Sequence, residues 1–383
     1  MFSRGIRLPI SFFGIPVYLD PSFLLVLPIL AWLIGSSVPT YAELFGIEGG
    51  ERLSEGVQPY LYGLIAALGL FVSVVLHELG HSVVARLYGV DVSRITLWFL
   101  GGMAHITDMP KRKGGEAVVG IAGPIVSYLL AGVFYALSTA LPSPGEGASV
   151  VVAGWSFVVI YLAVVNFVLA TFNLLPALPL DGGRILRSLL AIRLSQVDAT
   201  RISVGVSRVI ALGLGLFGIM GGGIFMVLIA VFVFFAGGAE ARQTIVTDLL
   251  GGIRVGDVMS REIVTVRAGT PVRDVAERMI HEHLESLPVE SDEGELVGIV
   301  TLDGLERASP DQAVESVAER LQSVDVRMPA SEALRRLSQG ASGRAIVVDD
   351  AGRPVGFLSR SDLQRAAQIR SVERGWDGAV TGR

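Results

Sequence analysis

The chain has 383 residues, 51% hydrophobic and 17% charged, with a formal net charge of −5 and a mean hydropathy of +0.59. An average soluble domain carries about 25% charged residues, so this is the composition of a membrane protein. No basic patch with interleaved aromatics speaks for nucleic acid as a partner. The absence of cysteine excludes disulfides and thiolate metal sites, so a zinc ion would have to be held by histidine and carboxylate.

Charge-free stretches mark the candidate membrane spans, each needing about 17–25 apolar residues. Arg4 and Arg7 precede the first apolar run, and no small-residue cleavage site follows it, so it reads as a retained helix rather than a secretory signal. The first span falls in residues 21–42 and the second in 56–76, extended by the turn His77–His81. The third lies within 117–145 and the fourth within 147–180. Residues 209–239 are also free of charge, but one helix of that length would measure about 46 Å. Gly221, Gly222 and Gly223 interrupt it, so two short helices are predicted, the first starting near Ile202, for six spans in all.

Loop charges orient these spans. Lys111, Arg112 and Lys113 lie in the second loop, and Arg184, Arg187, Arg193 and Arg201 in the fourth. The alternate loops carry Glu43, Glu48, Glu51 and Glu55 against Arg52, or Glu146 alone. The positive-inside rule then places the N-terminus, loops two and four, and everything after the last span in the cytosol. The second and fourth spans both run inward, which brings His77, His81 and Asp181 to a similar depth near the cytosolic face.

Beyond residue 240 the sequence reads as soluble, and it repeats at a constant offset of 58 residues: Pro271 matches Pro329, Arg278 matches Arg336, Gly298 matches Gly356 and Leu305 matches Leu363. Each copy ends in strand, turn, strand, helix, and units of this size pair to bury a shared core. The predicted organisation is a membrane domain over 1–240, a linker over 241–252, repeat units over 253–310 and 311–370, and a flexible tail over 371–383.

The chemistry begins at His77-Glu78-Leu79-Gly80-His81. On a helix, H-E-x-x-H puts two imidazoles one turn apart on one face, able to hold zinc, with a carboxylate beside them as general base. A metal site needs a third ligand, and the best candidate is Asp181 in Asn173-Leu-Leu-Pro-Ala-Leu-Pro-Leu-Asp181-Gly-Gly. Pro176 and Pro179 should end the fourth helix, and Gly182-Gly183 should permit a tight turn after Asp181. An isolated aspartate at membrane depth needs a partner, which a zinc ion would supply. The bland alternative is a pair of core or surface histidines.

With both motifs complete, the first 240 residues resemble the site-2 protease family of intramembrane zinc metalloproteases, which pairs HExxH on one transmembrane helix with N-x-x-P-x-x-P-L-D-G on another. The resemblance implies one Zn2+ held by His77, His81 and Asp181, activation of water by Glu78, and a hold on the substrate carbonyl by Asn173. Leu100-Gly101-Gly102 resembles the family's short strand with paired glycines. A substrate helix, unwound locally, is expected to pair with residues 99–103 so that Gly101 and Gly102 bind it as an extended strand. Ala122-Gly123-Pro124 resembles a G-P element of the family, although Ser127 stands where asparagine is frequent; for this element and for Leu100-Gly101-Gly102, ordinary close helix packing and a turn are the equal alternative. His105 is expected to be a loop histidine rather than a further ligand.

The tail resembles a tandem pair of CBS domains. In such modules a strand followed by [ST]-x-x-[DN] often contacts an adenine nucleotide, and Ser359-Arg-Ser-Asp362 fits. The first copy has Gly304 at the acid position after Thr301, so one nucleotide site is expected rather than two. A dimerisation module without ligand is the equal alternative, and homodimerisation through the tail stays open. The fold class is thus a polytopic α-helical membrane domain of about six transmembrane helices with an α/β tandem CBS pair. The function it implies is hydrolysis of peptide bonds in or beside transmembrane helices of membrane-protein substrates within the lipid bilayer. A CBS-gated transporter or channel, and an inactive metal-binding scaffold, are the competing readings. No PDZ-like segment interrupts the membrane part.

Overall fold

The computed structural model describes residues 5–47, 53, 55–99, 101–106, 112–141, 149–282, 284–340 and 342–380. Arg4, Glu48, Glu51, Arg52, Leu100, Lys111 and Glu146 therefore lie outside the described residues. The chain divides into two compact units, Met1–Ala241 and Arg242–Arg383.

The first unit opens with an antiparallel hairpin, β1 (Ile6–Phe12) and β2 (Ile15–Leu19), turning through Phe13 and Gly14 at φ 51° and 76°. Asp20 then accepts the Ser22 N–H at 2.9 Å and caps α1 (Pro21–Leu44), an N-cap with proline at the first helical position. Helix α2 (Gln58–Leu87) follows. It leads into β3 (Val92–Trp98) and β4 (Gly101–Ile106). The four strands form one sheet in the order β1-β2-β3-β4, with β2 and β3 parallel and β3 and β4 antiparallel, Leu97 opposite Gly102 and Thr96 opposite Met103. Among the described residues β4 is an edge strand.

Helices α3 (Gly115–Ala140) and α4 (Val150–Asn173) come next, then a short α5 (Asp181–Leu190). Helix α6 (Gln196–Phe217) and α7 (Ile224–Leu249) are joined through Gly221 and Gly223, both at positive φ. Six helices are long and apolar enough to cross a membrane: α1 to α4, the α6 segment through Gly221, and α7. The glycine break falls where the sequence puts it, but its flanking helices are not short. Each candidate span is 26 residues long, the first beginning at Gln196 rather than near Ile202. Charged residues inside the helices explain the difference. Arg208 lies over the Phe234 ring, its Cζ 5.8 Å from the centroid, and Glu240 is paired with Arg184 at 3.0 Å.

Asp181 is also placed differently from the expected turn. Gly182 and Gly183 belong to the first turn of α5. A Cβ on Gly182 would sit 2.3 Å from the carbonyl oxygens of Leu174 and Leu175, so the glycines let α5 pack straight onto the loop that delivers it.

In the second unit, α8 (Val255–Val258), β5 (Val266–Arg267), α9 (Val272–His281), β6 (Ser286–Glu290), β7 (Leu296–Thr301) and α10 (Leu302–Glu306) make the first copy. The second copy holds β8 (Gln322–Asp325), α11 (Ala330–Gln339), β9 (Arg344–Val348), β10 (Pro354–Ser359) and α12 (Arg360–Val380). Both sheets share one topology, parallel between their first two strands and antiparallel between the last two, which is the physical content of the 58-residue repeat. The copies exchange segments. Val255 N–H donates to Met328 O and Ser260 N–H to Phe357 O, both at 2.9 Å, so Leu250 and Val255 are buried in the second core. The last helix runs to Val380, beyond residue 370, where the sequence analysis ends the second unit and begins a flexible tail.

Candidate metal centre

Helix α2 presents His77 and His81 one turn apart, both buried. Helix α3 runs antiparallel against them. Its residues Val119, Gly123 and Ser127, each one turn apart, face the two rings. His81 Nδ1 lies 2.8 Å from the Val119 carbonyl and His77 Nδ1 lies 2.9 Å from Ser127 Oγ. A carbonyl only accepts, so His81 donates from Nδ1, and Nε2 is the nitrogen that faces inward, where a neutral ring would offer its lone pair to a metal ion.

Asp181 completes the group from α5. Its Oδ2 is 3.2 Å from Nε2 of His77 and 3.2 Å from Nε2 of His81, and the two Nε2 atoms are themselves 3.2 Å apart. The carboxylate is buried and stands at a helix N-terminus, where free backbone N–H groups favour negative charge. Three electron-rich atoms at mutual distances of 3.2 Å repel one another unless a proton or a metal ion lies between them. Ligand bonds of about 2.0–2.1 Å in a tetrahedron give edges of about 3.3–3.4 Å, so the triangle matches one face of a tetrahedral site for an ion taking nitrogen and oxygen donors. His77, His81 and Asp181 are the group that could hold a metal ion among the described residues.

Gly123 keeps that space open. A Cβ there would lie 2.2 Å from His81 Nε2 and 2.6 Å from His77 Nε2, so any side chain would enter the site. Glu78 is half-buried on the same helix turn, and its Oε2 accepts the Ala104 N–H of β4 at 3.0 Å. A Cβ on Gly102 would come within 2.6 Å of Glu78 Cγ, so the strand lies directly on the glutamate. Gly101 adopts φ 133° and opens the strand without touching the group. Asn173 ends α4 at the start of the loop that leads to Asp181, and its side chain makes no hydrogen bond among the described residues.

His105 is not part of the His77–His81–Asp181 group. It lies on β4 with Nε2 3.0 Å from Thr96 Oγ1, and burial lowers its pKa from the ordinary histidine value, with Arg94 pushing the same way. In the tail, Asp362 Oδ2 accepts both the Ser359 N–H at 2.9 Å and the Ser359 hydroxyl at 2.6 Å. In the first copy Thr301 Oγ1 accepts the Gly304 N–H at 3.3 Å instead.

Sequence reasoning missed Val119 and the part Ser127 plays. Val119 contributes only a carbonyl, which no side-chain pattern reports. Ser127 was readable, since it sits one turn beyond Gly123-Pro124.

Fold and site together define a polytopic membrane protein with a buried His-His-Asp group beside a glutamate, the furniture of a metal-dependent hydrolase set in a bilayer. Residues 65–216 match peptidase family M50, and residues 255–311 and 314–368 match the CBS domain. A zinc metalloprotease of Methanocaldococcus jannaschii is 30% identical over 360 residues, 94% of this chain and 95% of its own. Rip3 of Mycobacterium tuberculosis, whose name likewise says zinc metalloprotease, is 32% identical over 375 residues, 93% of this chain and 91% of its own. The solved site-2 protease of M. jannaschii is 34% identical, covering 62% of this chain and 96% of its own, with a TM-score of 0.44. The chain belongs to peptidase family M50, the site-2 proteases, and carries a tandem CBS pair. It is an intramembrane zinc endopeptidase; a CBS-gated channel or transporter is not favoured.

Proposed function

We propose that His77, His81 and Asp181 hold one Zn2+ ion and that Glu78 is the general base for hydrolysis of a peptide bond in or beside a substrate's transmembrane helix. The observation that carries this is the triangle of ligand atoms 3.2 Å on each side, with the Gly123 backbone leaving it room. Zinc, when bound, supplies Lewis acidity toward the scissile carbonyl and toward water. Glu78 takes the proton of the attacking water and returns it to the leaving amine nitrogen. Asn173, with no hydrogen-bond partner for its side chain among the described residues, holds the substrate carbonyl. Gly102 and Gly101 let an unwound substrate run beside β4, so that backbone bonds lost from its helix are regained on the strand edge.

Zinc content measured beside cleavage of a helical transmembrane substrate tests the assignment. Glu78→Gln should keep the metal and lose cleavage, whereas His77→Ala should lose both. Retained cleavage in the Glu78→Gln protein would overturn the mechanism and leave the metal site untouched.

The same reading places the N-terminus and the tail in the cytosol. Its support is the exposed Arg7, Arg112, Lys113, Arg193 and Arg201 in the segments assigned to that side. Because the chain has no cysteine, single cysteines introduced at either end and labelled with an impermeant reagent test the orientation directly. The tail is proposed to take one adenine nucleotide at the second copy, where Asp362 Oδ1 remains for ribose hydroxyls, and to dimerise. Titration of AMP and ATP against the full chain, with Asp362→Ala as comparison, tests the first. Molecular mass in detergent tests the second.

A further inference from the structure

Asp181 reaches the histidines from a loop whose conformation the histidines do not control. Leu178 sits at the centre of that loop, fully buried, three residues ahead of Asp181. Its N–H donates to Ser207 Oγ of α6 at 2.7 Å. The Ser207 hydroxyl donates in turn to the Ser203 carbonyl at 2.7 Å, so its single O–H is committed and a lone pair is turned toward Leu178. On the other side the Leu178 carbonyl presses against α7: a Cβ on Gly237 would fall 2.3 Å from Leu178 O. Gly183, in the first turn of α5, closes the third side, with a hypothetical Cβ 2.3 Å from Leu178 N.

Helices α6 and α7 thus donate no ligand, yet they grip both ends of the Leu178 residue. The loop carries prolines at 176 and 179; the N–H groups of Ala177 and Leu180 bond within it, that of Leu178 goes to α6, and the loop ends where the carboxylate must arrive to within a few tenths of an ångström. The Ser207 contact supplies the directional bond, and the missing side chain at 237 supplies the space.

We propose that Ser207 and Gly237 are positioning residues that set metal affinity by clamping Leu178 and so fixing the reach of the Asp181 carboxylate. The proposal rests on Asp181 being a ligand. Groups behind metal ligands typically change affinity by about 10–100-fold, and the clamp acts at that remove.

The test is zinc affinity of the purified full chain in detergent, read by competition with a chromophoric chelator, so that no activity measurement is needed. Ser207→Ala should weaken zinc binding about tenfold or more, and Ser207→Thr, which keeps the hydroxyl, should restore most of it. Ser203→Ala is the control, because that hydroxyl is equally buried and, among the described residues, bonds only within its own helix, to Ala199 O. It should leave zinc affinity unchanged. Gly237→Ala should weaken binding as Ser207→Ala does, whereas Gly238→Ala, whose Cβ would meet nothing within 4 Å, should not. Equal effects of Ser207→Ala and Ser203→Ala, or none from either, overturn the clamp. Asp181→Asn separates the two levels. Zinc held as tightly as in the wild type there overturns the ligand assignment and the clamp together, whereas zinc loss there with normal binding in Ser207→Ala overturns the clamp alone.

Discussion

Ser127 on α3 places its hydroxyl 2.9 Å from Nδ1 of His77 on α2, so the ring that faces the metal triangle is oriented from behind by a residue fifty positions away. His81 has the equivalent bond from a backbone carbonyl, which no substitution removes. Ser127→Ala should therefore loosen one ligand only, weakening zinc binding by about 10–100-fold with the fold intact. Metal competition beside a thermal melt of the metal-free protein checks it. An unchanged affinity would mean the helix alone orients His77.

Gly123 is predicted to be the least tolerant glycine of α3. A methyl at that position would lie 2.2 Å from His81 Nε2, inside the volume an ion needs, so Gly123→Ala should abolish zinc binding and cleavage. Gly132→Ala on the same helix, with nothing within 4 Å of its Cβ, should leave both within about twofold and slightly favour the helix. Zinc analysis of the two purified variants decides the matter.

Two ion pairs of similar appearance should differ in worth. Arg187 is buried against Glu116 and lies 3.5 Å from Glu240, tying α5 to α3 and α7. Removing Glu116 leaves the buried Arg187 with only the longer contact to Glu240, which Arg184 shares. Glu116→Ala should therefore lower unfolding stability in detergent by more than a surface pair would, though by less than the cost of a wholly uncompensated buried charge, about 3–5 kcal/mol. Asp311, exposed in the tail and 2.9 Å from Arg273, should change stability by no more than about 1 kcal/mol when replaced by alanine.

His105 gives a pH signature. Burial and then Arg94 hold its pKa below the ordinary value in the folded chain, so protons bind the unfolded state more readily there. Its contribution is intact above about pH 6.5 and is lost as pH falls from there toward the folded value. Stability measured from pH 8 to 5 should therefore decline more steeply in the wild type than in His105→Gln. Parallel curves would show that the ring titrates freely.

How much of this could be read from sequence divides along a physical line. That His77, His81 and Asp181 come together was legible because a metal site would demand particular side chains at particular spacings. Six spans were legible from hydropathy, but a search for charge-free runs shortened α6 and α7, because Arg208 and Glu240 lie within helices where Phe234 and Arg184 accommodate them. The β1–β2 hairpin was missed although its signal is present: Ile6, Leu8, Ile10 and Phe12 alternate before Phe13-Gly14. Val119, Gly123 and Ser207 act through a carbonyl, an empty space and a bond to a distant backbone. Such roles depend on which helix faces which, and that is written in the packing, not in any local pattern.

The hydrogen bond between Ala104 and Glu78 yields the sharpest test of how β4 serves the chemistry. Ala104 lies opposite Ile95 in the ladder, yet its N–H turns to the Glu78 carboxylate at 3.0 Å. An N–H pointing away from the neighbouring strand is one an edge strand can lose to proline. Ala104→Pro therefore removes the donor without breaking the sheet, and the carboxylate loses the bond that aims it. Hydrogen bonds to charged groups contribute about 1.5–3 kcal/mol, and about 1.4 kcal/mol is a factor of ten in rate. Cleavage should accordingly fall by about tenfold or more, seen in kcat. Zinc content should stay at the wild-type level, because none of the three ligand atoms is touched. Loss of zinc together with activity would mean that β4 supports the metal site as a whole. A normal kcat would mean that Glu78 is held in place by its own helix, with the strand serving the substrate alone.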